Sequence, residues 1–400
     1  MKHFYAESQF ASEPWSATVE ALAQRLADTA VERDKAGGTA KAERDLIRQS
    51  GLLALSTPVE LGGIGADWAA VLGVVRRLAE VDSSLAHLFG FHHLLLATTR
   101  LFGREAQWVP WLEQSARHHW FWGNALNPLD RGARATPEPD APEGHYRFSG
   151  TKRFCSGASD ADMLLASAFT HDDRLLIGVV PASRAGISVR DDWDNMGQRQ
   201  TDSGTVDFDN VRFDASELLT DPGPLSTPYA CLRPLLAQLI LANIYLGLGQ
   251  GALREARAFV KTSQRPWIAS NVSTPQEDPY VLNHFGDFWL GLEGAHLLTQ
   301  KASALFDQAW TRGASLTEAQ RAEVAIAVAA AKVATTRAGL DVANRMFEVT
   351  GARATTAALR LDRYWRNLRV HTLHDPVDYK VRELGDWALN DALPRPSFYS

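Results

Sequence analysis

The N-terminal part of the chain carries apolar residues at helical spacing. Five of them recur at i, i+3, i+4 and i+7 and would share one face of a helix: Val19, Leu22, Ala23, Leu26 and Ala30. The pattern stops at two glycines, Gly37 and Gly38, which predict the end of this first helix. Further along, Asp67 follows a turn-rich stretch and stands where it could cap another helix. Helical spacing continues to about Glu113.

The pattern changes after Trp120. Four short segments rich in β-branched or aromatic residues predict strands: MLLASAF (163–169), LLIGVV (175–180), ISV (187–189) and TVDFDNVRF (205–213). In the last of them Val206 and Phe208 alternate with polar neighbours, which is typical of a strand with one packed face and one wet face. We therefore predict a small antiparallel sheet in the middle of the chain.

Helical spacing returns at about Thr227 and continues to about Asn390, with one long segment over 229–263 and an Ala-rich one over 317–349. Helices, then strands, then helices indicate an α+β architecture rather than an alternating βαβ fold. We divide the chain into an N-terminal helical domain (1–115), a middle β domain (116–226) and a C-terminal four-helix bundle (227–400).

The segment GLGQG (247–251) superficially resembles a dinucleotide-binding fingerprint. It lacks the spacing of the third glycine, a preceding strand and a downstream acidic residue. Close packing between helices is the better explanation of these small residues.

Composition narrows the functional classes. The 400 residues are 45% hydrophobic and 22% charged, which is enough apolar material for a large folded core. A net charge of -6 without a long run of Lys or Arg argues against a nucleic-acid partner. No stretch of about 18 apolar residues suggests a membrane span, and residues 1–15 lack the apolar core of a signal peptide, so we expect a cytoplasmic protein. Cys155 and Cys231 lie far apart without metal-ligand spacing, so we predict neither a disulfide framework nor a metal site.

Several tracts occur in the order found in a known family. They are TAVERDKAGG (29–38), GTKRFCSGA (150–158), MGQRQTDSGTVDF (196–208), EDPY (277–280) and WRNLRVHTLHDPVDYK (365–380). With these tracts the chain resembles the acyl-CoA dehydrogenase superfamily over nearly its full length, and within it the oxygenating branch typified by dibenzothiophene monooxygenase. The resemblance implies reduced FMN (FMNH2) delivered by a separate NAD(P)H-dependent flavin reductase, O2 as co-substrate, and a homotetramer.

The tract RVHTLHDPV bears on the choice between dehydrogenation and oxygenation. In dehydrogenases that take their base from this lobe, the matching tract carries Tyr-Glu-Gly-Thr, and its Glu removes a proton alpha to the thioester. Here the four places hold His374, Asp375, Pro376 and Val377. Asp375 keeps a carboxylate but is one methylene shorter, and a base has to come within about 3 Å of the proton it removes. Dehydrogenation is disfavoured, although Asp375 prevents its exclusion.

Oxygenation calls for a different group beside the flavin. O2 adds at C4a of reduced flavin, and the resulting C4a-(hydro)peroxyflavin has to be protonated and shielded from water. A histidine suits this task because its pKa lies near neutral pH. The resemblance implies that His374 has this role, next to C4a and N5. The alternative is that His374 only closes a helix end; for His371 we favour a structural role.

The resemblance implies further site residues. Ser156 would face the flavin N5 edge and Phe154 would lie along the ring, while Asn124 would stand near the peroxide. His92 corresponds to a pocket histidine, and Trp193 to an aromatic wall of the pocket. Four of these residues have a structural alternative: a turn former for Ser156, a cap or turn residue for Asn124, a packed helix residue for His92, and a core side chain for Trp193.

Two arginines match the family's contacts to the mononucleotide phosphate. They are Arg265 in QRPW and Arg353 in GAR, one of which would arrive from another subunit. The dehydrogenases' Arg-x-x-Phe-Gly tract, which embraces the adenine half of FAD, is replaced here by RPWIAS. We therefore expect FMN rather than FAD.

The sequence thus predicts an FMNH2-dependent monooxygenase acting on a small organosulfur compound: a thioether, sulfoxide, sulfone or sulfinate. Sulfur as the oxygenated atom rests on the resemblance alone. Three alternatives stay open: an acyl-CoA dehydrogenase with Asp375 as base, an amine N-hydroxylase, and a flavin-binding scaffold without turnover.

Overall fold

The computed structural model describes residue 10, residues 12–263 and residues 265–400, so most of the N-terminal stretch used above for the signal-peptide prediction lies outside the described residues. The N-terminal part contains five helices: α1 (Ser16–Ala36), α2 (Lys41–Gln49), α3 (Trp68–Ala79), α4 (Ser83–Phe102) and α5 (Glu105–His118). The five apolar residues predicted to share a face of α1 are all buried. Asp67 caps α3 as predicted, accepting a hydrogen bond from the backbone nitrogen of Ala70 at 2.8 Å.

A curled sheet follows. Its strands are β1 (Trp122–Ala125), β2 (Ala133–Pro137), β3 (Tyr146–Lys152), β4 (Met163–Phe169), β5 (Leu175–Pro181), β6 (Ile187–Val189) and β7 (Val206–Phe213). They are ordered β1-β4-β2-β3-β7-β6, and β5 also pairs with β4. The four segments predicted as strands are confirmed as β4 to β7, while β1 to β3 were not predicted.

The sheet is mixed rather than purely antiparallel. The pairs β2–β3, β3–β7, β4–β5 and β6–β7 are antiparallel as predicted, but β1 runs parallel to β4, and β2 also meets β4 in parallel. A parallel pair needs a long crossover between its strands. The chain between β1 and β4 supplies one, because it contains the β2–β3 hairpin. The sequence pattern carried no signal for this crossover.

The C-terminal part contains α6 (Leu232–Thr262), α7 (Pro279–Arg312), α8 (Glu318–Thr350), α9 (Asp362–His371) and α10 (Val377–Asn390). Both long segments predicted here are confirmed, as α6 and α8. The small residues of GLGQG serve close packing, since a Cβ atom on Gly251 would lie 2.2 Å from the backbone oxygen of Glu80 in the N-terminal part. Within the described residues, α6 is the one helix long and apolar enough to cross a membrane, and its apolar window is wholly buried in the fold, as in a core helix.

Two apolar cores organise the fold. One is shared by the helices of the N- and C-terminal parts, with α6 packed against α3, α4, α7 and α8; the other lies within the sheet. The two helical parts are therefore not independent lobes. The first predicted domain boundary falls inside α5 and the second in the loop before α6, and the division into three domains stays a prediction.

Candidate active site

A buried polar cluster lies where the three parts of the fold meet. It joins His87 of α4, Ser156 of the loop after β3, and His371 at the end of α9. Asp82 caps α4 by accepting from the backbone nitrogen of Leu85, which fixes the first turn just before His87. The three side chains are at most 8% exposed. Residues distant in sequence thus form one water-poor hydrogen-bonded group.

The cluster is a continuous hydrogen-bonded chain. Ser156 Oγ lies 3.0 Å from Nε2 of His87, and Nδ1 of His87 lies 3.0 Å from Nε2 of His371. On its other side Ser156 Oγ lies 2.8 Å from Oγ of Ser203. Burial lowers the pKa of His87 to about 3 and that of His371 well below its ordinary value. Both imidazoles are therefore neutral at neutral pH.

A second polar group surrounds Asp375, just after α9. Its Oδ1 atom lies 3.0 Å from Nδ1 of His374, 3.1 Å from Nζ of Lys332 and 3.3 Å from Nε2 of Gln238. Burial opposes the charged form, but the hydrogen bond from His374 and the charge of Lys332 hold the pKa of Asp375 below its ordinary range. Lys332 is itself buried and also donates to Oε1 of Gln238 at 2.5 Å. Asp375 is thus an ionised acceptor enclosed by donors.

His374 is the accessible member of this second group. Its side chain is 37% exposed, against 8% for Asp375. Its backbone nitrogen donates to the carbonyl of His371 at 3.1 Å. This hydrogen bond connects the polar group around Asp375 to the buried cluster that contains His371. Because Asp375 can only accept, the His374 ring carries a proton on Nδ1 and directs Nε2 away from Asp375.

An aromatic surface borders Ser156. Phe154, two residues earlier, is 61% exposed and adopts a left-handed backbone conformation with φ of 59°. Its ring meets that of Trp193 edge to face, with centroids 6.0 Å apart. Trp193 is held by a 2.8 Å hydrogen bond from Nε1 to the backbone oxygen of Gln198. An exposed aromatic wall beside a buried hydroxyl suits a planar polar ring system.

Asn124 reaches this region through the backbone. Its nitrogen donates to the carbonyl of Ser156 at 3.0 Å, and its side-chain oxygen accepts from the backbone nitrogen of Leu126 at 3.1 Å. The structure therefore brings Asn124 next to Ser156. The side-chain contact is also that of a turn-forming asparagine, the alternative noted from the sequence.

His92 does not join the cluster. It is fully buried, with Nε2 2.8 Å from the carbonyl of Leu53, while Nδ1 accepts from the backbone nitrogen of Trp122 at 3.3 Å. Burial lowers its pKa to about 4. Both ring nitrogens serve backbone groups, so the structure favours the packed role over the pocket role for His92.

The histidine of α4 that joins the buried cluster is His87. Five helical positions separate it from His92, which places the two side chains about 140° apart around the axis. Of the 20 residues of α4, 19 are buried, so hydrophobic periodicity could not indicate which histidine faces the junction. The sequence analysis missed His87 for this reason. It also gave His371 only a structural role, whereas His371 is part of the hydrogen-bonded chain with His87 and Ser156.

The two predicted phosphate ligands lie elsewhere. Arg265 is exposed in the loop after α6, and Arg353 is exposed in a short turn after α8. In the part of the chain that the structure describes, neither forms a hydrogen bond or ion pair with the clusters around Ser156 and Asp375. Their role as phosphate ligands stays a prediction.

The helical N-terminal part, the small sheet and the helical bundle, with a polar site at their junction, define a protein of the acyl-CoA dehydrogenase class. Family-wide sequence profiles agree: the acyl-CoA dehydrogenase N-terminal, middle and C-terminal domains match residues 13–119, 130–211 and 239–379. The chain belongs to the acyl-CoA dehydrogenase family.

Individual relatives narrow this assignment. The chain is 57% identical to the probable FMNH2-dependent monooxygenase SfnC of Pseudomonas putida, over 97% of this chain and 98% of the relative. The structure of methanesulfinate monooxygenase MsuC from Pseudomonas fluorescens superposes with a TM-score of 0.94 at 57% identity, covering 97% and 100% of the two chains. FMN-bound TdsC from Paenibacillus sp. A11-2 gives 0.91 at 40% identity, covering 96% and 99%. The predicted resemblance to the oxygenating branch is thereby confirmed.

Proposed function

We propose that this protein is an FMNH2-dependent monooxygenase that transfers one oxygen atom of O2 to a small organosulfur compound. The other oxygen atom leaves as water, and FMNH2 is oxidised to FMN, so that the two electrons and two protons of FMNH2 balance the reaction. Three relatives support this proposal: SfnC is a probable FMNH2-dependent monooxygenase, TdsC has been solved with FMN bound, and MsuC is a methanesulfinate monooxygenase.

The observation that carries the proposal is the environment of Asp375. A base that removes a carbon-bound proton needs a pKa near the working pH. Asp375 has three donors on one carboxylate oxygen, and its pKa lies below the ordinary range. These features disfavour the dehydrogenase alternative. They suit a residue that orients His374.

The residues around Ser156 fit a flavin mononucleotide. Phe154 and Trp193 would hold the ring system, with the Ser156 hydroxyl at its polar edge. Arg265 and Arg353 would bind the phosphate, one of them from a neighbouring subunit. When bound, reduced FMN supplies the electrons and the reactivity toward O2 that amino acids lack. FAD is less suitable because the arginine-phenylalanine tract for its adenine half is absent from the sequence.

The chain's own groups have separable tasks in this proposal. Ser156, backed by the neutral His87, holds or passes a proton at its Oγ atom. His374, oriented by Asp375, offers Nε2 as an exchangeable proton carrier at the accessible side of the site. Asn124 positions the loop that carries Ser156 through its backbone hydrogen bond. His92 has no catalytic task in this proposal, because both of its ring nitrogens bond backbone groups.

The substrate class proposed is a small thioether, sulfoxide, sulfone or sulfinate. The activity of MsuC, a methanesulfinate monooxygenase, supports a sulfinate in particular, because that protein is 57% identical over nearly the whole chain. The amine N-hydroxylase alternative has weaker support. A nitrososynthase of similar structure is 22% identical to this chain, so it supports the fold and not the activity.

We also propose a separate flavin reductase as the source of FMNH2, a cytoplasmic location and a homotetramer. One face of α7 supports assembly, since it exposes apolar side chains spaced by seven or eight residues: Leu282, Leu290 and Leu297. Exposed apolar stripes of this kind are commonly covered by a further subunit.

The test uses chemically reduced FMN, so that it does not depend on identifying the reductase. The purified protein is mixed with FMNH2 and then with oxygenated buffer containing methanesulfinate, dimethyl sulfone or a primary amine. The proposal expects an oxygenated sulfur product and an unchanged amine. Anaerobic bleaching of bound FAD by an acyl-CoA would favour the dehydrogenase instead.

A further inference from the structure

We propose that Gln198 is a positioning residue that holds His371 and His87 as Nε2–H tautomers, so that the Ser156 hydroxyl donates its proton away from His87. The hydrogen-bond direction is a property of the folded protein. Its catalytic meaning rests on the proposed function.

Gln198 is fixed against α9 by both backbone and side chain. It is buried, in the loop between β6 and β7, and its backbone nitrogen donates to Oδ1 of Asn367 at 2.8 Å. Its side-chain nitrogen lies 3.3 Å from the backbone oxygen of Asn367 and 3.0 Å from Oγ of Ser83. A carbonyl oxygen can only accept, so the side-chain atom that faces it has to be the amide nitrogen.

The same amide nitrogen lies 3.5 Å from Nδ1 of His371. An amide nitrogen does not accept hydrogen bonds, so a proton on Nδ1 of His371 would have no acceptor in front of it. Because His371 is neutral, its single ring proton is then on Nε2. That proton points at Nδ1 of His87, 3.0 Å away, which in turn has to be unprotonated. The ring proton of the neutral His87 is therefore on Nε2, directed at Ser156.

The remaining hydroxyl groups continue in the same direction. Ser156 accepts from His87, and its own proton is directed to Oγ of Ser203 at 2.8 Å. Ser203 donates to Oγ1 of Thr201 at 2.8 Å, and Thr201 donates to the backbone oxygen of Gln198 at 3.0 Å. The hydrogen-bonded chain thus runs from the Gln198 side chain to the Gln198 carbonyl, and each group from His87 to Thr201 accepts one hydrogen bond and donates one.

This direction decides what Ser156 can do at the proposed flavin edge. In the assigned direction its hydroxyl proton can turn from Ser203 to an acceptor atom of a ligand while His87 continues to donate to its oxygen. In the opposite direction the proton of Ser156 would be directed to His87, and the hydroxyl could only accept from a ligand. Gln198 therefore selects the donating state of Ser156 without touching the ligand.

Neutron diffraction from deuterium-exchanged crystals of the flavin-free protein at neutral pH tests this assignment. The expected map shows deuterium on Nε2 and none on Nδ1 in both His87 and His371, with the Ser156 deuteron directed toward Ser203. Deuterium on Nδ1 of either histidine would overturn the proposal. The result does not depend on turnover, so a failure of the proposed function and a failure of this inference are distinguishable.

A variant pair tests whether Gln198 causes the preference. Gln198→Leu removes the amide nitrogen in front of Nδ1 of His371, and we expect deuterium on either ring nitrogen of His371 in part of the molecules. Ser83→Ala removes the other side-chain partner of the amide and should leave the wild-type tautomers intact. Full occupancy at Nε2 in Gln198→Leu would show that another group sets the direction. The wild-type map remains decisive if Gln198→Leu fails to fold.

Discussion

The Nδ1 atom of His374 lies 3.0 Å from the Oδ1 atom of Asp375, and this pair links an accessible imidazole to a buried carboxylate. Lys332 anchors the carboxylate from α8, at 3.1 Å. The carboxylate thereby fixes both the tautomer and the orientation of the His374 ring. Asp375, which the sequence left open as the base of a dehydrogenase, is placed in this geometry to orient His374.

Replacing Asp375 with Asn should uncouple the reaction. The neutral amide no longer fixes the Nδ1–H tautomer of His374, so we expect about a 100-fold fall in the rate of product formation. FMNH2 consumption would continue, with hydrogen peroxide in place of product. The check is the ratio of oxygenated product to peroxide. Asp378→Asn, at an exposed carboxylate of α10, is the matched control, and an unchanged ratio in Asp375→Asn would remove the orienting role.

Replacing Lys332 with Met should destabilise the fold. The change leaves the buried Asp375 without its cation, and breaking a buried ion pair on one side costs about 3–5 kcal/mol. Chemical denaturation measures the loss, with the exposed Lys301→Met as control. Adding Asp375→Asn to Lys332→Met should restore part of the free energy of unfolding. A loss no larger than that of the control would contradict the account.

The free energy of unfolding should fall as the pH is lowered from about 6.5. The pKa of His87 is about 3 in the fold and that of His92 about 4, so between these values and about 6.5 the unfolded chain binds protons that the folded chain does not. Each histidine contributes up to about 1.4 kcal/mol per pH unit. Asp307 acts oppositely, because burial raises its pKa to about 6.

Denaturation of wild type and His87→Phe at several pH values checks this dependence. The variant should show a shallower fall over the same range, because one of the buried bases has been removed. Parallel pH profiles for the two proteins would mean that His87 is not held neutral by the fold.

His87 and His92 should respond differently to substitution. His87→Asn should lower product formation through the loss of the group behind Ser156. His92→Asn should chiefly lower stability, by about 1–3 kcal/mol, because the backbone groups of Leu53 and Trp122 lose their partner. Steady-state product assays and thermal unfolding on both variants separate the two effects. If His92→Asn lost as much activity as His87→Asn while its stability stayed unchanged, His92 would have a catalytic role after all.

Most helices and the more apolar strands could be predicted from hydrophobic periodicity. Strands without an apolar pattern of their own could not. Segment 163–169 was identified because it is a continuous apolar run, and as β4 all seven of its residues are buried. The residues of β2, Ala133–Pro137, include an arginine and a proline and show no strong strand pattern. Such strands are defined by their partners in the sheet. The parallel pairing of β1 with β4 is equally a matter of tertiary contacts.

The candidate site was accessible only in part. His374, Ser156 and Phe154 stand in tracts whose resemblance to a family could be read directly, and the structure places them at the junction. His87 stands in an almost wholly buried helix, where polar and apolar faces cannot be distinguished from the sequence. Gln198 stands in the tract MGQRQTDSGTVDF (196–208), but the tract did not single it out, because its proposed role depends on the atoms that face it.

The most direct test of the central claim is turnover with chemically reduced FMN, methanesulfinate and 18O2, followed by mass spectrometry of the sulfur product. The account predicts a sulfonate that has gained one 18O atom per molecule, with the second labelled atom in water, and a loss of that product in His374→Ala. Complete conversion of the 18O2 to hydrogen peroxide, with unlabelled sulfinate recovered, would contradict it.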